Sequence, residues 1–172
     1  AIVQSYEYDF VGSELSAVRG LNVLRNTGEK AKIYEAYNIL GVVSNELKNY
    51  DKALEYHTKA LNLANENLLT EFNEIPISLN NIGGVYQNLN KHEKAIEKFN
   101  EALTYKKLIT EKPKLYAILL DNIAYSKLKI NDDSKLPDLF YKSLKIRDSL
   151  NIKSGIIFSK IHLSEFYAFK ND

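Results

Sequence analysis

The chain has 172 residues, 45% hydrophobic and 26% charged, and its 23 basic and 22 acidic side chains leave a net charge of +1. That is an ordinary globular balance, with no broad positive field for nucleic acid and no polybasic patch for a membrane. The absence of cysteine excludes disulfides and thiolate metal sites, and the longest apolar run, AILL at 117–120, is far too short to cross a bilayer.

Glycine (7) and proline (3) are scarce, which favours an all-helical chain. The opening AIVQSYEYDF carries neither an initiator Met nor a signal-peptide pattern, so the chain reads as a segment of something longer. A leading helix or helix pair is predicted over about 3–25, with Val11, Leu15 and Val18 facing the core, broken by NTGEK after Arg25. Helices follow at about 30–46, 51–66, 74–89, 92–109, 114–129, 134–149 and 154–169. Pro76, Pro113 and Pro137 fall at or near helix starts, where the missing N–H costs little.

The chain repeats itself. SLNNIGGVYQNLNKHEKAIEKFNEAL at 78–103 slides back by 42 residues onto NILGVVSNELKNYDKALEYHTKALNL at 38–63, placing Gly83 on Gly41, Leu89 on Leu47, Ala95 on Ala53 and Ala102 on Ala60. Forward by 41, Gly83 meets Ala124, Phe99 meets Phe140 and Ala102 meets Ser143; one step further, Ser164 takes the small position. Each unit reads as two antiparallel helices joined by a turn such as KNYD (48–51) or NKHE (90–93). A mid-helix Gly costs about 0.5–1 kcal/mol relative to Ala. At the recurrent small position that cost is offset by a close helix crossing that a side chain would prevent. Gly84 has no counterpart in the other units.

Tyr37, Leu40, Gly41, Ala53 and Ala60, then Leu79, Ile82, Gly83, Tyr86, Ala95, Phe99 and Ala102, resemble the tetratricopeptide repeat. Leu120, Ile123, Ala124 and Phe140 continue the pattern, with Leu136 and Ser143 where Ala is usual. The spacing of 40–42 exceeds the usual 34, the surplus lying at NENLLTEFNEIP and LITEKP. In this the chain is similar to the extended repeats of kinesin light chains and bacterial signalling regulators, and LNNIG looks like the helix start of that group. The resemblance implies one all-α, right-handed superhelical solenoid of about 3.5–4 repeats: a leading element (1–28), repeats at 29–70, 71–111 and 112–151, and a partial repeat or cap at 152–172.

No residue set for catalysis stands out. His57 occupies the slot of Phe99 and Phe140 and reads as a packed core aromatic; His92, in the turn before its helix, reads as packing or capping. The acids alternate with Lys on outer faces, as in DKALEYHTK, in the manner of i,i+4 surface pairs, and the basic run Lys106, Lys107, Lys112, Lys114 reads as a solvated face. No phosphate loop, nucleophile elbow, metal motif or cofactor motif is present, so an enzyme is not expected.

The resemblance also implies that the first helix of each repeat lines a concave groove. Peptide-contacting candidates there are Asn38, Ile39, Val42, Asn80, Asn81, Gly84, Gln87, Asn122, Tyr125 and His162, with Asp121, Ile161 and Leu128 at further groove-facing positions. A carboxamide can match the alternating N–H and C=O groups of an extended peptide, and Gly84 opens a hollow for a partner side chain. Hydrogen bonds alone, four or five at roughly 1 kcal/mol each, fall short of the roughly 8 kcal/mol of micromolar binding. Apolar anchors must add to them, and Ile39, Val42, Tyr125 and Leu128 are the candidates. The basic clamp of chaperone-tail receptors is not matched: Asn81 fits, but Asn38, Val42, Ile118 and Asn122 stand at its other positions.

The expectation is therefore a non-catalytic protein- or peptide-binding module, the sensory or docking region of a larger bacterial regulator such as a two-component histidine kinase or transcription regulator. The rival readings are a pheromone-type peptide receptor controlling a phosphatase or DNA-binding output, and a scaffold that self-associates end to end. No nucleic acid or membrane contact is expected of this segment, and either cytoplasm or periplasm suits it.

Overall fold

The computed structural model describes residues 10–66, 74–132 and 135–171, and all their regular structure is helical. The helices are α1 (Phe10–Leu24), α2 (Lys30–Glu46), α3 (Tyr50–Asn65), α4 (Glu74–Asn88), α5 (His92–Leu103), α6 (Leu108–Glu111), α7 (Pro113–Lys129), α8 (Leu136–Ser149) and α9 (Lys153–Asn171). The start of the expected leading helix, before Phe10, and the centre of NENLLTEFNEIP lie outside the described residues. The chain forms two compact units, residues 1–85 and 86–172, with the boundary inside α4.

In the first unit α3 lies against α2, and α2 against α1. Leu21, Ala36 and Leu40 form one buried cluster with Ala17 and Val18; Tyr34, Ala60 and Ala64 form a second. Leu15 does not face this core and is exposed, because the helical period that turns Ala17, Val18 and Leu21 toward α2 carries it to another face. Of the recurrent small positions, Gly41, Gly83 and Ala124 are buried, whereas Ser164 is exposed and lies at no close helix crossing. His57 is buried with its ring over Gly41, where an added Cβ would stand 2.4 Å from Cε1 of the ring. Ala53 and Ala60 flank it, both fully buried.

In the second unit α7 packs on α5 and α8, and α9 packs on α8. Ala124, Leu128, Leu136, Phe140, Leu163 and Phe166 form its core cluster. The helix expected over 92–109 ends at Leu103 instead. The Thr104 hydroxyl donates to the Glu101 carbonyl at 2.7 Å, and the chain turns so that Leu108 is buried as the short α6 begins.

Four helix ends share one device. Lys48, Asn90, Asn131 and Asn151 adopt left-handed φ of 59°, 54°, 57° and 54°. The next N–H in each case reaches back to close the last turn, as from Asn49 to the Ser44 carbonyl and from Lys91 to the Tyr86 carbonyl, both at 2.8 Å. Asparagine tolerates this conformation because its short side chain bonds locally; Lys48 has no such compensation. Pro113 and Pro137 open α7 and α8, and Pro76 lies in the first turn of α4, as their fixed φ favours.

Candidate peptide-binding surface

In the first unit Asn38 is half-buried and bonded on both sides. Its Nδ2 donates to the Tyr34 carbonyl at 3.3 Å, while its Oδ1 accepts from Asn81 Nδ2 at 3.2 Å and faces His57 Nδ1 at 3.3 Å. The Asn38–Asn81 pair is therefore a rung between successive first helices before it is a ligand contact. Asn80 is half-buried and also engaged. Ile39 and Val42 stand out from α2 at 51% and 47% exposure, and a Cβ on Gly84 would meet nothing within 4 Å. These three supply apolar surface and open space on the same unit.

A second rung of the same register lies in the other unit. Asp121 occupies the position of Asn38, and His162 that of Asn81. His162 Nδ1 donates to Asp121 Oδ2 at 2.9 Å, since a carboxylate can only accept. Asp121 is 2% exposed, so the groove-facing place expected for it is corrected: it points into the contact among α7, α8 and α9. There Ser159 Oγ donates to Asp121 Oδ1 at 3.0 Å, and Arg147 Nη1 lies 3.6 Å from Oδ2. Arg147 Nη1 also donates to the Gly155 carbonyl and to Ser159 Oγ, at 2.6 and 2.9 Å. A buried carboxylate needs such partners to offset its lost hydration.

Tyr125 is half-buried between two histidines: its ring centre is 4.8 Å from that of His162 and 6.2 Å from that of His92, with Lys129 Nζ 4.8 Å above it. Gln87 Nε2 donates to the Asn122 carbonyl at 3.0 Å and to Ser126 Oγ at 2.8 Å, and the Asn122 side chain is half-buried. Leu128, expected as an apolar anchor, is buried in the core cluster and cannot reach a ligand.

Burial lowers the pKa of His57 to about 4, and desolvation lowers that of His92 too, so both rings are neutral near pH 7. His92 is buried, and its Nδ1 finds no hydrogen-bond partner among the described residues. Among the described residues no group of three His, Asp or Glu side chains is placed to hold a metal ion, and no helix is long and apolar enough to cross a membrane.

Sequence reasoning missed the network built on Asp121, Arg147 and Ser159. The readable signal was an acid inside the apolar run AILLDNIA, 41 residues before His162, against the 43 separating Asn38 from Asn81.

Residues 32–107 match the family model described as the tetratricopeptide repeat. Among solved structures the chain is similar to BtubC (BKLC) from P. vanneervenii, with 16% identity and a TM-score of 0.77 over 95% of this chain and 68% of that one. It is also similar to the Sgt2 TPR domain from Aspergillus fumigatus, with 22% identity and a TM-score of 0.53 over 78% of this chain and 82% of that one. At those identities the likeness is one of fold. No curated protein matches the chain. Tetratricopeptide repeats mark protein–protein interaction modules, a family that is generally non-catalytic. Residues 32–107 are thus similar to tetratricopeptide repeats, and the all-α fold of the chain is of that kind.

Proposed function

We propose that the chain is a non-catalytic module that binds a peptide segment of a partner protein on exposed first-helix faces within its units. In the first unit Ile39, Val42 and Gly84 provide apolar contacts and Asn38, Asn80 and Asn81 polar ones; in the second unit Tyr125 provides the apolar contact and Gln87, Asn122 and His162 the polar ones. The observation that carries this reading is the pairing of solvent-facing apolar side chains, Ile39 and Val42, with open space over Gly84 beside a half-buried row of amides. Amides already held by neighbours are pre-organised, which lowers the entropy lost on binding. A role as the sensory or docking region of a larger bacterial regulator accords with this, as does a peptide receptor acting on a phosphatase or DNA-binding output.

Panning a random peptide library on the chain and measuring the selected peptides by calorimetry tests the proposal. Val42→Glu and Tyr125→Ala should each weaken the selected peptides by roughly tenfold, the effect of losing one anchor. Selected peptides that bind both variants as tightly as wild type would contradict it.

A further inference from the structure

Lys112 and Lys114, around the start of α7, border an apolar groove. Leu115 and Ile118 of α7, with Leu150 and Ile152 of the turn between α8 and α9, line a cleft of about 440 Å³ whose edge carries Lys112, Pro113 and Lys114. A smaller hollow of about 190 Å³ continues it, sharing Lys114, Ile118 and Ile152 and adding Phe158 of α9. The first volume lies within the ~300–1,000 Å³ typical of ligand clefts. Leu150 and Phe158 are 42% and 59% exposed, an apolar surface left uncovered.

Two cations, Lys112 and Lys114, stand on the lining of this cleft against one acid. Glu111 is the acid on its lining, and it is turned to Lys107 at 3.3 Å. Lys112 and Lys114 are exposed and enter no ion pair among the described residues. Within this unit α5, α6 and α8 place an acid in their first turn; α7 and α9, whose N-terminal turns border the cleft, place none. The helix dipole of α7 therefore adds to the field of the two lysines instead of being cancelled. Arg147 beneath is engaged with Asp121, Ser159 and Gly155, and serves as wall.

We infer that this cleft is a second docking site, separate from the first-helix surface, and that it takes a short acidic–apolar peptide segment of a partner protein. Two apolar side chains of the segment lie in series, one over Leu115 and Leu150, the other over Ile118 and Phe158. Carboxylates flanking them reach Lys112 and Lys114.

The test is fluorescence anisotropy with a fluorescein-labelled peptide DDELFDEL, compared with its basic counterpart KKKLFKKL, on the chain and three variants. The acidic peptide should bind at least ~10-fold more tightly than the basic one and weaken as salt rises. K112E/K114E should lose ~10-fold or more, and Phe158→Ala should lose several-fold. Both variants alter exposed side chains, and circular dichroism confirms their fold. Val42→Glu, which disables the first-helix surface proposed above, should leave this affinity unchanged. Failure of the acidic peptide to bind, equal binding of the two peptides, or unchanged affinity in K112E/K114E overturns the inference. Loss in Val42→Glu without loss in K112E/K114E also overturns it, and moves the peptide to the first-helix surface.

Discussion

Acid should weaken this fold through His57. Its ring is buried on Gly41, and burial holds its pKa at about 4 against an ordinary 6.5. The unfolded chain takes up the proton first as pH falls, so stability is complete above pH 6.5 and is lost between 6.5 and about 4. Below that range both states are protonated and the loss levels off. The gap between the two values, at about 1.4 kcal/mol per pH unit, corresponds to about 3 kcal/mol. That is a large fraction of a typical stability of about 5–15 kcal/mol. Urea unfolding at pH steps between 7 and 4 measures it, with His57→Phe alongside, since Phe99 and Phe140 fill the equivalent slots. The variant removes the titrating group, so its stability should fall less with acid, by most of that amount. His92 shifts in the same direction and stays in both proteins, so the difference between them isolates His57. Parallel pH profiles for wild type and His57→Phe would refute the reasoning.

Asp121→Ala should cost about 3–5 kcal/mol, because it leaves the Arg147 charge buried without its partner. Hydrogen exchange should show the loss concentrated in α9, which Ser159 and His162 tie to Asp121. Gly41→Ala should destabilise by about 1–3 kcal/mol, as its Cβ would overlap the His57 ring; urea midpoints measure it. Gly84→Ala should instead stabilise by about 0.5–1 kcal/mol through helix propensity, since the added methyl meets nothing. Lys48→Gly should gain about 1 kcal/mol by relieving the left-handed backbone, visible as a higher thermal midpoint.

The parts of the fold legible in the sequence were those set by sterics. Gly41 and the Ala positions 53, 60, 95 and 102 announce helix contacts, and all are buried; Ser164, expected to continue the series, is exposed. Prolines 76, 113 and 137 mark helix starts for an equally local reason. The end of α5 was not legible: no Gly or Pro stands between Leu103 and Pro113, and the break is made by the hydroxyl of Thr104 and the burial of Leu108. Helical period alone does not fix which face of α1 is covered: it suits Leu15 facing inward, whereas Leu21 is the buried residue. The polar column was half legible. Position numbers brought Asn38 and Asn81, and Asp121 and His162, onto one side of successive helices. They did not reveal that these residues bond to each other, nor that Arg147, from a helix outside the column, turns inward to meet Asp121.

Peptide binding on the first helices, as proposed, is tested by chemical-shift mapping with NMR. With a library-selected peptide titrated into labelled chain, the largest shifts should fall on first-helix residues: Ile39, Val42, Asn81 and Gly84 in the first unit, or Tyr125 in the second. Shifts confined to the outer residues of α3, α5 and α8, such as Glu55, Glu97 and Lys145, would contradict it.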